Sequence, residues 1–457
     1  MIRTRFAPSP TGFMHIGGLR TALFGYLFAR KNGGTFILRI EDTDQSRFVE
    51  GAVEKIYESL DAAGIVCDEG PHVGGDYGSY VQSERKEMYI KHAMELVEAN
   101  KAYYCVCPKP EEGEELVCDC KNHNIDKPLG DYVIRFRAPK EGATTFTDIV
   151  FGEISVENSE IEDLVLIKSD GMPTYNFANI VDDHHMNITH VMRGSEFLAS
   201  TPKHKLMYEA FGWDVPIYCH LPLILSPDGG KLSKRKGDAY FDDFVQRGFL
   251  PQALVNFISL LGFAPPNNPE NKEIFTMDEL IAAFDVKGIN KAPAAFDVQK
   301  LRWMNGEYIK ALATDEFLLL AKPFSNKPSA FVAMTKDRIA TLDEIDSLLD
   351  FVDALPNYDV SLFENKKNKI DLVVAKDMFT KTLPVLEEHN DWQADSLKQL
   401  LVDFAASLGV KNTLVLIPLR VALSGKETSP GGSIELLCAF GKNESIARIK
   451  TALEKLV

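Results

Sequence analysis

At 457 residues, with a 45% hydrophobic share and a formal net charge of −16, the chain can bury several cores and is expected to hold roughly two to four folding units. No apolar run approaches the length of a membrane span, which argues against a spanning helix, and no membrane partner is expected. The acidic total means that any polyanion must be bound by local basic faces, not by bulk charge.

In chain order, Thr4 to Ala7 predicts a short apolar strand. Leu19, Ala22, Leu23, Tyr26 and Leu27 recur at helical spacing in a helix from about Gly18 to Lys31. Between them, Pro8-Ser9-Pro10-Thr11-Gly12 cannot continue a strand and forces a sharp bend. His15-Ile16-Gly17-Gly18 closes the bend with two glycines that let backbone and ligand come close. The amides that open a helix are unpaired and partly positive, so this turn suits a nucleotide phosphate, to which His15 can donate. Taken alone, the tetrapeptide also fits a tight turn with a surface histidine. Residues 1 to 80 give strand, helix, strand, helix, as in a nucleotide-binding half.

The sheet is then interrupted. Cys105-Val106-Cys107 and Cys118-Asp119-Cys120 bring four of the seven cysteines to either side of a short loop. Four reduced thiols or two redox-labile pairs are the plain alternative. Paired cysteines around a loop in an intracellular protein are a metal pattern, and four thiolates match the tetrahedral preference of structural zinc, Zn2+. Such a site leaves no position open for water and is not catalytic. Cys67, Cys219 and Cys438 are expected to pack. Tyr132 to Arg137 and Leu164 to Ile167 predict strands, and Asp182-Asp183-His184-His185 is expected as a structural turn at a strand end and not as a metal cluster.

Leu221-Pro222-Leu223-Ile224-Leu225 predicts a buried strand and turn leading into Gly-Gly-Lys-Leu-Ser-Lys-Arg-Lys-Gly-Asp at 229–238. Its cations and glycines suit a mobile loop closing over polyphosphate. Attack on an α-phosphate concentrates charge on its oxygens, where a lysine ammonium is worth most in the transition state. Lys234 is assigned there and Lys231 to neighbouring phosphates. As a lone run this segment reads as a solvated loop; with the His15 turn it reads as the second half of one ATP-handling site. Pro251 to Leu261 predicts an amphipathic helix, Pro265-Pro266-Asn267-Asn268-Pro269 a loop, and after about residue 311 the pattern is helical nearly throughout.

The two signatures, in this order and far apart, resemble the paired ATP motifs of class I aminoacyl-tRNA synthetases. Arg5-Phe6-Ala7-Pro8-Ser9-Pro10-Thr11-Gly12, Arg39-Ile40-Glu41-Asp42-Thr43-Asp44, Asp68-Glu69-Gly70-Pro71, Pro173-Thr174-Tyr175, Val181-Asp182-Asp183-His184 and Thr201-Pro202-Lys203-His204 resemble successive signatures of bacterial-type glutamyl-tRNA synthetases, over essentially the whole chain. The resemblance implies ATP-dependent attachment of L-glutamate to tRNA(Glu) through glutamyl-adenylate, with AMP and pyrophosphate released and tRNA(Gln) open as a second acceptor. It implies an α/β fold: a Rossmann-type parallel sheet with a connective insertion, then a helical stem-contact region and an all-α C-terminal anticodon-binding domain. The corresponding pieces are 1–80 and 178–225 for the catalytic halves, 81–177 for the acceptor-binding insertion with the cysteine loop, 226–310 for the lysine loop and stem-contact region, and 311–457 for the anticodon-binding domain.

By the same resemblance, Thr11, Gly17, Gly18, Lys231, Ser233 and Lys234 meet ATP, with His15 and Lys234 as electrostatic stabilisers of the chemical step. Arg5, Tyr175, Asn179 and Arg193 face the γ-carboxylate of glutamate, while Glu41, Ser9 and the backbone of Ala7 hold its α-amino end. Without the family match, Arg5 and Glu41 would read as a structural ion pair. Cys105, Cys107, Cys118 and Cys120 are the zinc ligands, with His123 open as a substitute. Mg2+ accompanies ATP; the family expectation is a monomer, and a start with no signal-peptide core makes a cytoplasmic address the expectation. Phe197 stands where the family more often has tryptophan or histidine, and Cys67 where it commonly has tryptophan. Lys234-Arg235-Lys236, Lys366-Lys367-Asn368-Lys369 and Lys442 through Lys455 are the candidate basic faces for tRNA. A shorter relative that glutamylates a tRNA base lacks the segment 311–457, and a catalytically silent tRNA-binding paralogue is opposed by His15, Lys231 and Lys234.

Overall fold

The computed structural model describes residues 1–108, 118–122, 127–128, 130–226, 228–230, 232 and 240–456. His123, Lys231 and Ser233 to Lys236 lie outside the described residues. The chain divides into two compact units, Met1–Gln246 with Pro251–Leu301, and Arg247–Leu250 with Arg302–Val457.

In the first unit, β1 (Arg3–Phe6) crosses over through α1 (Ile16–Lys31) to pair in parallel with β2 (Thr35–Leu38). The last three residues of each strand are buried, as in a parallel strand covered on both faces; in β2 they are the apolar run Phe36-Ile37-Leu38, whereas β1 buries Thr4 and Arg5 beside Phe6. The helix starts at Ile16, two residues before the Gly18 start expected from apolar spacing, because His15 caps it. Next come α2 (Ala52–Ala62), α3 (Lys86–Glu98), β3 (Ala102–Cys105) and β4 (Val133–Phe136), then the hairpin of β5 (Ala143–Asp148) and β6 (Gly152–Glu157), and β7 (Val165–Ile167). β3, β4 and β7 form an antiparallel sheet of their own.

The parallel sheet resumes with α4 (Tyr175–His185), β8 (His190–Gly194), α5 (Thr201–Phe211) and β9 (Ile217–Leu221). β8 pairs with β9 in parallel, and Thr189 N donates to Arg3 O at 3.0 Å, so β1 and β8 are neighbours. The β5–β6 hairpin joins the far side of β9 at Asp148 and Tyr218, a pairing that the sequence pattern did not reveal. Asp182, Asp183, His184 and His185 correct the expected strand-end turn: they are the last turn of α4, which stops because Asn187 takes a left-handed φ of 52°. The unit continues with β10 (Ile224–Leu225), α6 (Phe241–Gln246), α7 (Pro251–Ser259), α8 (Met277–Ala283) and β11 (Ala294–Ala295), which pairs in parallel with β10. A capping box of Thr276 and Glu279 starts α8.

The division falls within α9 (Val298–Ala311). The second unit is helical: α10 (Thr314–Ala321), α11 (Ser329–Thr335), α12 (Ile345–Leu348), α13 (Leu372–Glu388), α14 (Ala394–Ser407), α15 (Asn412–Ser424) and α16 (Ser433–Lys455). Fully buried Asn305 accepts from Leu250 N at 2.8 Å and donates to Ala340 O at 2.6 Å, which ties residues 247–250 into this unit. Among the described residues no helix is long and apolar enough to cross a membrane.

Buried Arg448 on α16 donates to Phe351 O at 2.9 Å, Leu423 O at 2.7 Å and Val352 O at 3.2 Å, with its guanidinium 3.9 Å from the Phe440 ring centroid. Three backbone carbonyls converge on this one buried side chain, so Arg448→Met should destabilise the protein by ~3 kcal/mol. Urea unfolding of the two proteins measures this, and an unchanged midpoint would show that water replaces the guanidinium.

Candidate active site

A cavity of about 440 Å³ opens beside the C-terminal ends of β1 and β8 and the first turn of α1, the place where open α/β sheets receive ligands. Its wall includes Arg5, Ala7, Ser9, His15, Gly17, Gly18, Glu41, Tyr175, Asn179 and Arg193. An adjoining cavity of about 490 Å³ shares Ser9, Glu41, Tyr175 and Phe197, and Thr11 lines that one. The residues assigned to ATP and to glutamate thus face one connected space, apart from those outside the described set.

At the phosphate end, His15 is the N-cap of α1 and its Nδ1 accepts from Gly17 N at 3.1 Å. An Nδ1 that accepts fixes the proton of the neutral ring on Nε2. The same bond uses one helix-opening amide and leaves the others of the first turn for an anion. Lys231 and Lys234 are outside the described residues, but the chain on either side of them is placed. Leu232 lines the cavity, and Tyr240 makes a β-bridge to His15 while Phe241 N donates to Met14 O at 3.1 Å.

Beneath the cavity floor lies a buried charge network. Arg5 donates from Nε and Nη2 to Asp183 at 3.0 and 3.2 Å. Arg39 reaches Asp183 at 2.7 Å and Glu41 at 2.9 Å, and Arg85 reaches Asp182 at 2.8 Å. Gln82 and Tyr89 complete Asp182, each at 2.8 Å. Arg5, Arg39 and Arg85 therefore balance Glu41, Asp182 and Asp183. Arg5 pairs with Asp183, so the direct Arg5–Glu41 ion pair does not form; Arg39, which received no role from the sequence, takes Glu41. Burial pushes Asp183 up, but the Arg5 and Arg39 charges outweigh it and hold its carboxyl below the usual range. For Glu41 the balance is opposite: burial outweighs Arg39 and Arg5, and its carboxyl sits above the usual range. Glu41 is thus a carboxylate that a further cation would stabilise.

Arg193, 4% exposed at the end of β8, is held differently. Its Nε donates to His220 Nε2 at 3.1 Å, Nη1 meets His204 Nδ1 at 3.2 Å and Nη2 donates to Thr201 Oγ1 at 2.7 Å. His220 Nδ1 in turn meets Asp148 Oδ2 at 2.7 Å, and His204 Nε2 meets Asn176 Oδ1 at 2.9 Å. Asp148, Thr201 and His220 carried no assignment from sequence, because the β5–β9 pairing that brings Asp148 to His220 has no local signal. Arg20 also lines the cavity unforeseen; it donates to Leu261 O and Pro222 O, and burial lowers its pKa to about 10.

The four cysteines of the insertion come together, all Sγ atoms lying within 4.8 Å of one another. Cys105 faces Cys118 at 3.5 Å and Cys107 faces Cys120 at 3.4 Å, so the thiols pair across the loop, with the far pair contributing one partner to each. A tetrahedron with Zn–S bonds of about 2.3 Å has edges of about 3.8 Å, and these separations fit it. Cys67 and Cys219 are buried free thiols, Cys67 pushed up to about 12 by burial, as packing residues are.

A family model described as tRNA synthetases class I (E and Q), catalytic domain, matches residues 1–303, and one described as anticodon binding domain matches residues 297–453. The glutamate–tRNA ligase of Clostridium novyi (strain NT) is 49% identical, covering 100% of this chain and 98% of its own length. That of Clostridium acetobutylicum is 46% identical, covering 100% and 99%. A glutamate tRNA ligase from Elizabethkingia meningosepticum, crystallised in complex with its amino acid, superposes with a TM-score of 0.85 at 35% identity, over 100% of both chains.

Asp183→Asn keeps the shape of the network and removes one of its three negative charges, leaving Arg5 and Arg39 to share Glu41. The expected cost is ~3–5 kcal/mol of folding stability, read from denaturant unfolding; a loss under about 1 kcal/mol would mean that the guanidiniums are not desolvated there.

Proposed function

The chain belongs to the class I tRNA synthetases for glutamate and glutamine, and from that premise we propose how it carries out the ATP-dependent attachment of L-glutamate to tRNA, with AMP and pyrophosphate released. The observation that carries the reading is one cavity whose helix-opening turn, undercompensated carboxylate and guanidinium with neutral partners suit ATP and a dicarboxylic amino acid together. An α-ammonium at Glu41, Ser9 and Ala7 adds to Arg39 the further cation that would stabilise the Glu41 carboxylate. A γ-carboxylate at Arg193, Arg5, Tyr175 and Asn179 supplies the anion that Arg193 lacks. Glutamine would offer an amide to the same guanidinium and leave it unpaired, which is how such a site rejects it.

With both ends of the amino acid held, its α-carboxylate is presented to the α-phosphate of ATP. The oxygen attacks phosphorus, pyrophosphate leaves, and glutamyl-adenylate forms; the terminal ribose hydroxyl of the tRNA then attacks the acyl carbon and AMP departs. His15 donates Nε2–H to the phosphates and Lys234 stabilises the charge that grows on the α-phosphate, with Lys231 and Ser233 on neighbouring oxygens and Thr11, Gly17 and Gly18 shaping the cradle. These groups act electrostatically, and no covalent enzyme intermediate is involved. Placement of Leu232 and Tyr240 at the His15 cavity supports bringing the lysine segment to the same nucleotide. Mg2+ bound with ATP supplies neutralising charge to the trivalent leaving group.

The reading takes 81–177 as the acceptor-binding insertion, with zinc held by Cys105, Cys107, Cys118 and Cys120 as a structural ion, and 311–457 as the anticodon-binding part of a cytoplasmic monomer. The acceptor is tRNA(Glu); charging of tRNA(Glu) and tRNA(Gln) in parallel decides whether the second is also used.

Lys234→Ala should lower adenylate formation, assayed by pyrophosphate exchange with tRNA present, by ~10²-fold or more with an unchanged thermal melt; near-normal exchange removes Lys234 from the mechanism. Metal analysis of the purified protein should give one zinc per chain, and Cys118→Ser should lose it. Retention of full zinc by that variant would move the ligand set to other residues.

A further inference from the structure

Arg5 and Arg193 line the same cavity, yet what answers their charges differs. Arg5 rests on the carboxylate of Asp183. The direct partners of Arg193 among the described residues are neutral: two imidazole nitrogens, the Thr201 hydroxyl, the Phe197 carbonyl at 3.5 Å, and the rings of Phe197 and Tyr218, each centred 5.3 Å from its guanidinium carbon; the Glu196 carboxylate lines the same cavity and acts on His220, but forms no ion pair with Arg193. A guanidinium has five N–H groups, and one N–H of Nη1 has no protein acceptor among the described residues.

The imidazoles accept from Arg193 only as neutral rings, and each is held in the tautomer that permits it. His204 accepts at Nδ1, so its proton is on Nε2, facing Asn176 Oδ1. His220 accepts at Nε2, so its proton is on Nδ1, facing Asp148 Oδ2. Asp148 is itself saturated by Val150 N, Phe151 N and His220 N at 2.9, 2.8 and 3.0 Å, and touches Arg193 only through the ring. Burial holds both histidines below their ordinary range, His204 well below it. A carboxylate in place of either ring would orient the guanidinium equally well and also cancel its charge.

We propose that His204 and His220 are positioning residues that aim Arg193 while leaving its charge uncompensated, so that the γ-carboxylate of the amino acid, and not an amide, completes it. This rests on the glutamate-pocket reading given above. The outer partners Asn176 and Asp148 set the two tautomers, and through them the selectivity for a carboxylate.

The test compares two nearly isosteric variants that share the loss of the ring, His204→Asn and His204→Asp, by pyrophosphate exchange in the presence of tRNA. H204D should show a KM for glutamate about tenfold or more above that of H204N, equivalent to about 1.4 kcal/mol, and a reduced preference for glutamate over glutamine. The KM for ATP should match between the two. Equal glutamate KM values, or a parallel change in both KM values and kcat, would overturn the proposal in favour of a packing role. If H204D does not fold by thermal melt, Thr201→Asn against Thr201→Asp repeats the comparison at Nη2 with the same outcomes. Arg193→Gln separates the two levels: an unchanged glutamate KM there refutes the pocket reading itself, whereas a raised one beside indistinguishable H204N and H204D refutes only the role of neutrality.

Discussion

The architecture of the first unit depends on closing a charge account in the absence of water. Arg5 on β1, Arg39 and Glu41 just after β2, Arg85 ahead of α3, and Asp182 and Asp183 at the end of α4 come from four separate stretches and neutralise one another in the interior. Replacing such a set by apolar residues is often neutral for stability, whereas removing one member is not. Its contribution is therefore register: each strand and helix has one placement in which every ion finds its partner, and that placement puts Arg5, Glu41, Tyr175 and Asn179 around one cavity.

Two groups on the cavity wall, Glu41 within this set and Arg193 outside it, keep room for a further charge, and their signs are opposite. Glu41 is paired but undercompensated, and Arg193 is oriented by neutral partners alone. On the proposed reading, a zwitterionic amino acid with a second carboxylate supplies the missing charge at both points. On the same reading, a guanidinium left without a protein carboxylate would favour a carboxylate over an amide, since the wrong ligand leaves it desolvated and unmet.

Much of this was legible before any fold. The His15 turn stands out because prolines, glycines and a capping histidine act locally, through backbone geometry within a few residues, and the cavity forms beside that turn. The four cysteines are legible for the same reason. Asp182 to His185, expected as a strand-end turn, ends α4 instead, where buried arginines reach the two acids. Thr201 to His204 was recognised as a signature, but not for what His204 touches.

The sequence alone determined the class of the protein, the order of its nucleotide signatures, the helical nature of the second unit and the cysteine cluster, because each is written in short-range spacing or in residue types with one chemical use. Tertiary structure decided which carboxylate answers which guanidinium: Asp183 for Arg5, Glu41 for Arg39, and none among the described residues for Arg193. Ion pairing falls off over a few ångströms while these partners lie up to 178 positions apart, so no local pattern can carry it. It exists only once folding has brought β8 beside β1 and parallel pairing has brought β5 beside β9.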